Sequence, residues 1–203
     1  MSITLLTGLL MFHGVYPDVL AALRASAFHV VSVATTTGFA TTDYALWPVF
    51  APVLLMFLGS FASCAGSTGG GMKMIRMILL IKQARRELVR IVHPRVVNPV
   101  TLGGKVVPMT VMTATFGFML IYGAVTMGLT MVLLLTGLDI VTAFSAVVAT
   151  VNNIGPGLGQ VGPAGNYGAL SDFQLWVLSF SMLMGRLELL SVLVLFTGQF
   201  WRR

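Results

Sequence analysis

Two short stretches carry residue types that can hold a dehydrated cation by backbone oxygen alone: Thr35-Thr36-Thr37-Gly38-Phe39 and Asn152-Asn153-Ile154-Gly155-Pro156. Each follows an apolar, helix-patterned stretch too brief to cross a bilayer. Non-helical backbone at membrane depth persists only where it is buried in protein or lines water, because a lipid-facing unpaired carbonyl costs several kcal/mol. Carbonyls of such turns can replace a cation's hydration shell when several turns converge on one axis. Gly38 and Gly155 would then stand where the backbone needs conformations that other residues resist. A short helix aimed at each turn would add roughly half a negative elementary charge at its C-terminal end, which favours cations. Surface turns joining two helices use the same residue types and are the competing reading. The double occurrence and the short helix before each turn favour the first.

The elements that must position these turns belong in a membrane. With 57% hydrophobic residues, 9% charged and a mean hydropathy of +0.93, the 203 residues cannot clothe a soluble globule, whose surface is about a quarter to a third ionic. Cys64 is the single cysteine, with no partner for a disulfide and no metal-ligand neighbours at useful spacing. Lys73, Arg76, Lys82, Arg85, Arg86, Arg90, Arg95 and Lys105 face one acid, Glu87, across the segment between two apolar stretches. By the positive-inside rule that connection is cytoplasmic, as is the C-terminus after Trp201-Arg202-Arg203. The same basic run could bind nucleic acid, but its place between hydrophobic spans makes orientation the better account, so no nucleic-acid partner is expected.

The pattern along the chain predicts an all-α integral membrane protein of two tandem helix-pore loop-helix repeats, potassium-channel-like in layout, the first lacking most of its first span. The first repeat is expected over 1–97. It has a short first span ending at Phe12, a pore helix over 18–34 with Asp18 at its N-cap, a filter turn over 35–39 and a broken second span over 46–93. The second is expected over 98–203, with a span over 106–137, a pore helix over 139–151 capped by Asp139, a filter turn over 152–157 and a last span over 172–200 behind Ser171. Thr35-Thr36-Thr37-Gly38 and Asn152-Asn153-Ile154-Gly155 lie 117 residues apart, a weak internal repeat in sequence and a clear one in layout. The start reads as the tail of a longer span, and four sides of a filter need more turns than two. The remaining pore repeats or a second copy would supply them.

Two further groups stand out. Gly66-Ser67-Thr68-Gly69-Gly70-Gly71 interrupts the second span, since each glycine costs about 1 kcal/mol against alanine in a helix. It nearly fits a phosphate-binding loop through Lys73, but Met72 intervenes and an apolar span stands where that motif needs a strand. A plain helix kink remains open. Arg186 falls about 21 Å into the last span, where insertion costs about 2.5–3.5 kcal/mol, so its charge must face protein or water, or snorkel to the inner interface. Glu188 is on the opposite side of the helix and cannot pair with it. Arg24 and His29 on the first pore helix are expected to pack against neighbouring repeats or reach the outer vestibule. Asp43 and Gln160, which follow the two turns, either line an outer mouth or cap loops. No acid, base and nucleophile share a pocket by any visible spacing, so enzymatic action is not expected. A membrane anchor or assembly subunit that conducts nothing is the alternative.

The stretches Val31 to Phe39, Cys64 to Lys73, Asn152 to Gly159 and Gly185-Arg186-Leu187-Glu188 together resemble the TrkH/TrkG/KtrB family, over essentially the whole chain. Members carry four such repeats in one polypeptide, and this sequence is similar to the last two. The resemblance implies potassium uptake across the bacterial inner membrane by a multi-pass protein that works as a homodimer in membrane lipid, with a cytosolic TrkA/KtrA-like nucleotide-binding regulator. It implies potassium held by Thr35, Thr36, Thr37 and Gly38 and by Asn152, Asn153, Ile154 and Gly155. It also implies an intramembrane gating loop at Gly66, Ser67, Thr68, Gly69, Gly70 and Gly71, and a pore arginine at Arg186. No bound cofactor other than the transported K+ is implied.

Overall fold

The computed structural model of the chain describes residues 1–61, 73–187, 192–194 and 198–201. Helices α1 (Ser2–Phe12), α2 (Val19–Ala34) and α3 (Phe50–Phe61) pack as one unit, and α4 (Met74–Val92) leads away from it. Helices α5 (Met109–Leu135), α6 (Ile140–Val151) and α7 (Asp172–Arg186) pack as a second, followed by α8 (Gly198–Trp201). The expected gate segment Gly66–Gly71, with Cys64 and Glu188, lies outside the described residues.

Helix α5 has 27 residues and rises about 40 Å, enough to cross the hydrocarbon core with tilt. Its best stretch has a mean hydropathy of 2.1. Leu120, Met127 and Met131 point outward from it. Thr113, Thr115, Thr126 and Thr130 each donate to the carbonyl four residues back, so the hydroxyls add no unpaired polar group to the span. The helix begins three residues later than the expected Val106. Thr101–Leu102 (β1) pairs antiparallel with Lys105–Val106 (β2), turned by Gly103 and Gly104 at φ 56° and 79°. That is the left-handed pair a tight hairpin turn requires, and it takes Val106 out of the helix.

Helices α2 and α6 have 16 and 12 residues, about 24 and 18 Å, and cannot span. In α6 every side chain from Thr142 to Val151 except Phe144 is buried, because α5, α7 and α3 of the first unit surround it. Helix α2 packs on α1 and α3 and leaves Leu20, Leu23 and Val31 exposed. The second span of the first unit starts at Phe50 and not at Leu46. Asp43 accepts from Ala45 N–H at 3.0 Å and caps a one-turn 3-10 helix over Tyr44–Leu46, so Asp43 is a loop cap. Asp18 occupies the N-cap of α2 without a side-chain bond, whereas Ser171 and Gln174 form a reciprocal capping box on α7.

Asp139 accepts from Thr142 N–H at 3.0 Å at the start of α6. Its bonds to Thr142 hold the carboxyl below the usual aspartate range. A depressed folded value stabilises above the unfolded value and is lost as pH falls through the folded one. Asp139→Ala should therefore destabilise by about 1 kcal/mol at pH 7, the usual worth of an N-cap. The gap to the parent should close as the carboxyl protonates below about pH 4, read by thermal unfolding in detergent.

Candidate functional site

Both short helices end in the same backbone figure. Thr36 N–H bonds Val33 O at 3.0 Å and Thr37 N–H bonds Ser32 O at 2.8 Å. In the second unit Asn153 N–H bonds Thr150 O at 3.0 Å and Ile154 N–H bonds Ala149 O at 2.8 Å. This crossed pair closes a helix through one left-handed residue, here Thr36 at φ 56° and Asn153 at φ 54°. Asparagine tolerates that region; a β-branched threonine there is a backbone outlier, held at a cost of order 1–3 kcal/mol. Two residues on, Gly38 and Gly155 have φ of 80° and 105°. The internal repeat of the sequence is thus a repeat of conformation.

The two turns touch. A Cβ added at Gly38 would overlap the carbonyl of Ile154 and stand 3.1 Å from Pro156 Cδ. The Ile154 side chain is buried in the core of the first unit with Val33 and Leu55, against Gly59. At Gly155 the same added Cβ meets no heavy atom within 4 Å. Among the described residues, no donor bonds the carbonyls of Thr35, Thr36, Thr37, Gly38, Asn152, Asn153 or Ile154. The Gly155 carbonyl accepts from Tyr167 Oη at 2.6 Å. Burial pushes that phenol up to about 12, so it keeps its proton and continues to donate near neutral pH.

The side chains divide. Thr35 and Thr37 are exposed and share a hydroxyl contact of 2.8 Å, with Thr35 Oγ1 also donating to Val31 O. Asn152 is fully buried behind its turn. Its Nδ2 donates to Ser60 Oγ at 3.2 Å and Val148 O at 2.8 Å, while Oδ1 accepts from Tyr122 Oη at 3.1 Å. Its amide therefore braces α3, α5 and α6, leaving only its main-chain carbonyl for a ligand. Asn153 Nδ2 reaches Met182 O at 3.4 Å on α7.

Arg186 is the exposed last residue of α7. Beside it, a Cβ at Gly185 would fall onto the carbonyl of Val151 and lie 3.0 Å from Asn153 Nδ2, so α7 crosses the end of α6 backbone to backbone. Thr150 Oγ1 and Ser181 Oγ share a buried hydrogen bond between the same two helices. Arg24 is exposed, and His29 is buried against Tyr44 and Trp47 of its own unit and not against a neighbouring repeat. Gln160 is exposed, and its main-chain N–H is held by Thr142 Oγ1 at 3.1 Å. No cluster of three His, Cys, Asp or Glu able to hold a metal occurs among the described residues; the oxygens on offer in the two turns are those of the backbone, of the Thr35 and Thr37 hydroxyls and of the Asn153 amide.

Sequence reasoning missed Ser60, Tyr122, Tyr167 and Gly185 as supports of the turns. Tyr122 gave one signal, a phenol in an otherwise apolar span, which must find a partner when buried.

Residues 5–203 match the family model for TrkH, described as a cation transport protein. The chain is 46% identical over 200 residues to the Trk system potassium uptake protein TrkH of Salmonella typhimurium, covering 98% of this chain and 41% of that protein. It is 36% identical over 203 residues to the Trk system potassium uptake protein TrkG of Escherichia coli, again covering 41% of the relative. The crystal structure of the potassium transporter TrkH from Vibrio parahaemolyticus superposes with a TM-score of 0.92 at 47% identity, over 99% of this chain and 42% of that one. The chain thus spans about two fifths of the length of the relatives it matches. With its transmembrane, predominantly helical, twice-repeated architecture, the chain belongs to the TrkH family of cation transport proteins.

Proposed function

We propose that this chain forms two sides of a potassium uptake pore in a bacterial inner membrane, the other sides coming from further repeats of the complete protein. The observation that carries the reading is the contact of Gly38 with the Ile154 carbonyl, which sets the two left-handed turns edge to edge around what would be a common axis. Alternating backbone handedness at 36–38 and 153–155 turns successive peptide groups toward one side, the way such backbones make ion-binding concavities. The unpaired carbonyls of Thr35 to Gly38 and Asn152 to Ile154 would coordinate K+, backed by the negative ends of α2 and α6. Open space beside Gly155 and the exposed face of α2 are where adjoining repeats would pack.

In this reading Gly66–Gly71 and Arg186 gate the inner half of the pore, and Gly185 transmits movement of α7 to the end of α6. A cytosolic TrkA/KtrA-like regulator acts from the side of the basic α4, and the full-length protein is a dimer with a cytoplasmic C-terminus.

The test is expression of the complete protein in cells lacking potassium uptake. Growth on low potassium and saturable rubidium influx are expected, with Arg186→Ala changing influx at equal membrane abundance. No influx from a folded, inserted protein would reduce the chain to an anchor.

A further inference from the structure

Beyond the oxygens themselves, something must fix the arm of chain that leaves each turn, because an extended arm tethered only at one end would let the ring widen. In the first unit two side chains of α2 perform this task. Ser32 Oγ donates to Phe39 O at 2.6 Å. One turn earlier on the helix, His29 Nε2 accepts the Thr41 N–H at 3.3 Å.

The histidine cannot do otherwise in its neutral state. Its Nδ1 lies 2.7 Å from Ala25 O, an acceptor, so Nδ1 carries the proton and Nε2 offers its lone pair. The ring is fully buried, edge-on to Tyr44 and Trp47 with centroids 5.4 and 5.1 Å away, which holds its plane.

The second unit has the same arrangement from different residues. Ser145 Oγ accepts from Leu158 N–H at 2.8 Å, and Thr142 Oγ1 accepts from Gln160 N–H at 3.1 Å. In both units the helical partners are three residues apart and the arm partners two apart, the spacings that put each pair on one side of its element. The residues 117 positions after His29 and Ser32 are Ala146 and Ala149, so the correspondence is one of mechanics and not of inherited side chains.

We infer that His29 is a positioning residue whose bond to Thr41 fixes the outer arm of the first turn and thereby sets discrimination among cations. The inference rests on the pore reading above. Selectivity depends on the geometry and number of oxygens around the ion, which a loosened arm changes before it changes whether ions pass.

The test compares His29→Asn with His29→Gln in the complete protein. The asparagine amide can still donate toward Ala25 O but is too short to reach Thr41, whereas the glutamine oxygen extends to where Nε2 stood. Rubidium-over-sodium influx should fall about five- to tenfold in the asparagine variant, the worth of one hydrogen bond in an equilibrium, and stay within about twofold in the glutamine variant. Amide exchange across residues 39–43 of the purified protein should quicken by a similar factor in the asparagine variant alone. An asparagine variant with parental ion ratio overturns the inference, as does a glutamine variant as impaired as asparagine. Should the parent pass no rubidium, the pore reading fails separately, and unchanged exchange at Thr41 in the asparagine variant still removes the clamp.

Discussion

Gly38→Ala is expected to cut rubidium influx at least about a hundredfold while the protein still inserts. Two penalties add at this position. Alanine resists a φ of 80°, and its Cβ would overlap the carbonyl of Ile154, a backbone atom that cannot rotate away. About 3 kcal/mol of strain is a reasonable sum, which at 1.4 kcal/mol per tenfold leaves about a hundredth of the molecules with both turns in place. Gly155→Ala carries the conformational penalty at φ 105° but finds open space within this chain. Its effect therefore reports what lies beyond. Loss as deep as that of Gly38→Ala would indicate an adjoining repeat pressed against Gly155, and a milder loss would indicate none. Influx near the parental rate in Gly38→Ala, at matched abundance, would show that the contact between the turns does not matter for transport.

Asn152→Leu should destabilise by about 2–4 kcal/mol, a lowered unfolding midpoint in detergent being the readout, and should impair influx in proportion. Leucine has the same branched outline with bulkier ends, so the main loss comes from polar groups stranded in a buried site. Tyr122 Oη loses its acceptor, and Val148 O and Ser60 Oγ lose a donor. The double variant Tyr122→Phe with Asn152→Leu should recover part of the loss, because removing both partners costs less than stranding one. Strict additivity of the two changes would argue that the phenol and the amide are not coupled. Because Ser60 belongs to α3 and Asn152 caps the C-terminal end of α6, the bond between them is also a polar tie between the two units.

Local physics made several elements legible in the chain itself. Asp139 before an apolar run marked the start of α6, and Ser171 marked that of α7, because capping is settled within four residues. The doubled turn was readable because a glycine stands at the same place after each short helix, and glycine takes left-handed backbone without a steric penalty. Other boundaries were misplaced where a local device outcompeted a helix. The Gly103-Gly104 hairpin took Val106, and the turn capped by Asp43 took Leu46. Nothing within a short window weighs such a device against a continuing apolar run.

The roles of Asn152 and His29 show where the sequence stopped. Asn152 was expected to offer its main-chain carbonyl, and nothing in the sequence told that its side-chain amide enters a buried site built by residues 30 and 92 positions distant. His29 looked like packing and holds a main-chain N–H twelve residues on. By itself the sequence determined that the chain belongs in a bilayer and that a short helix followed by a glycine-bearing polar turn occurs twice. Composition and nearest neighbours settle those matters. Only the tertiary structure decided that the two turns abut at Gly38 and Ile154, and which hydroxyls, amides and rings hold them there. The contact between the turns joins residues more than a hundred positions apart, and the geometry of all of these contacts depends on how whole helices pack.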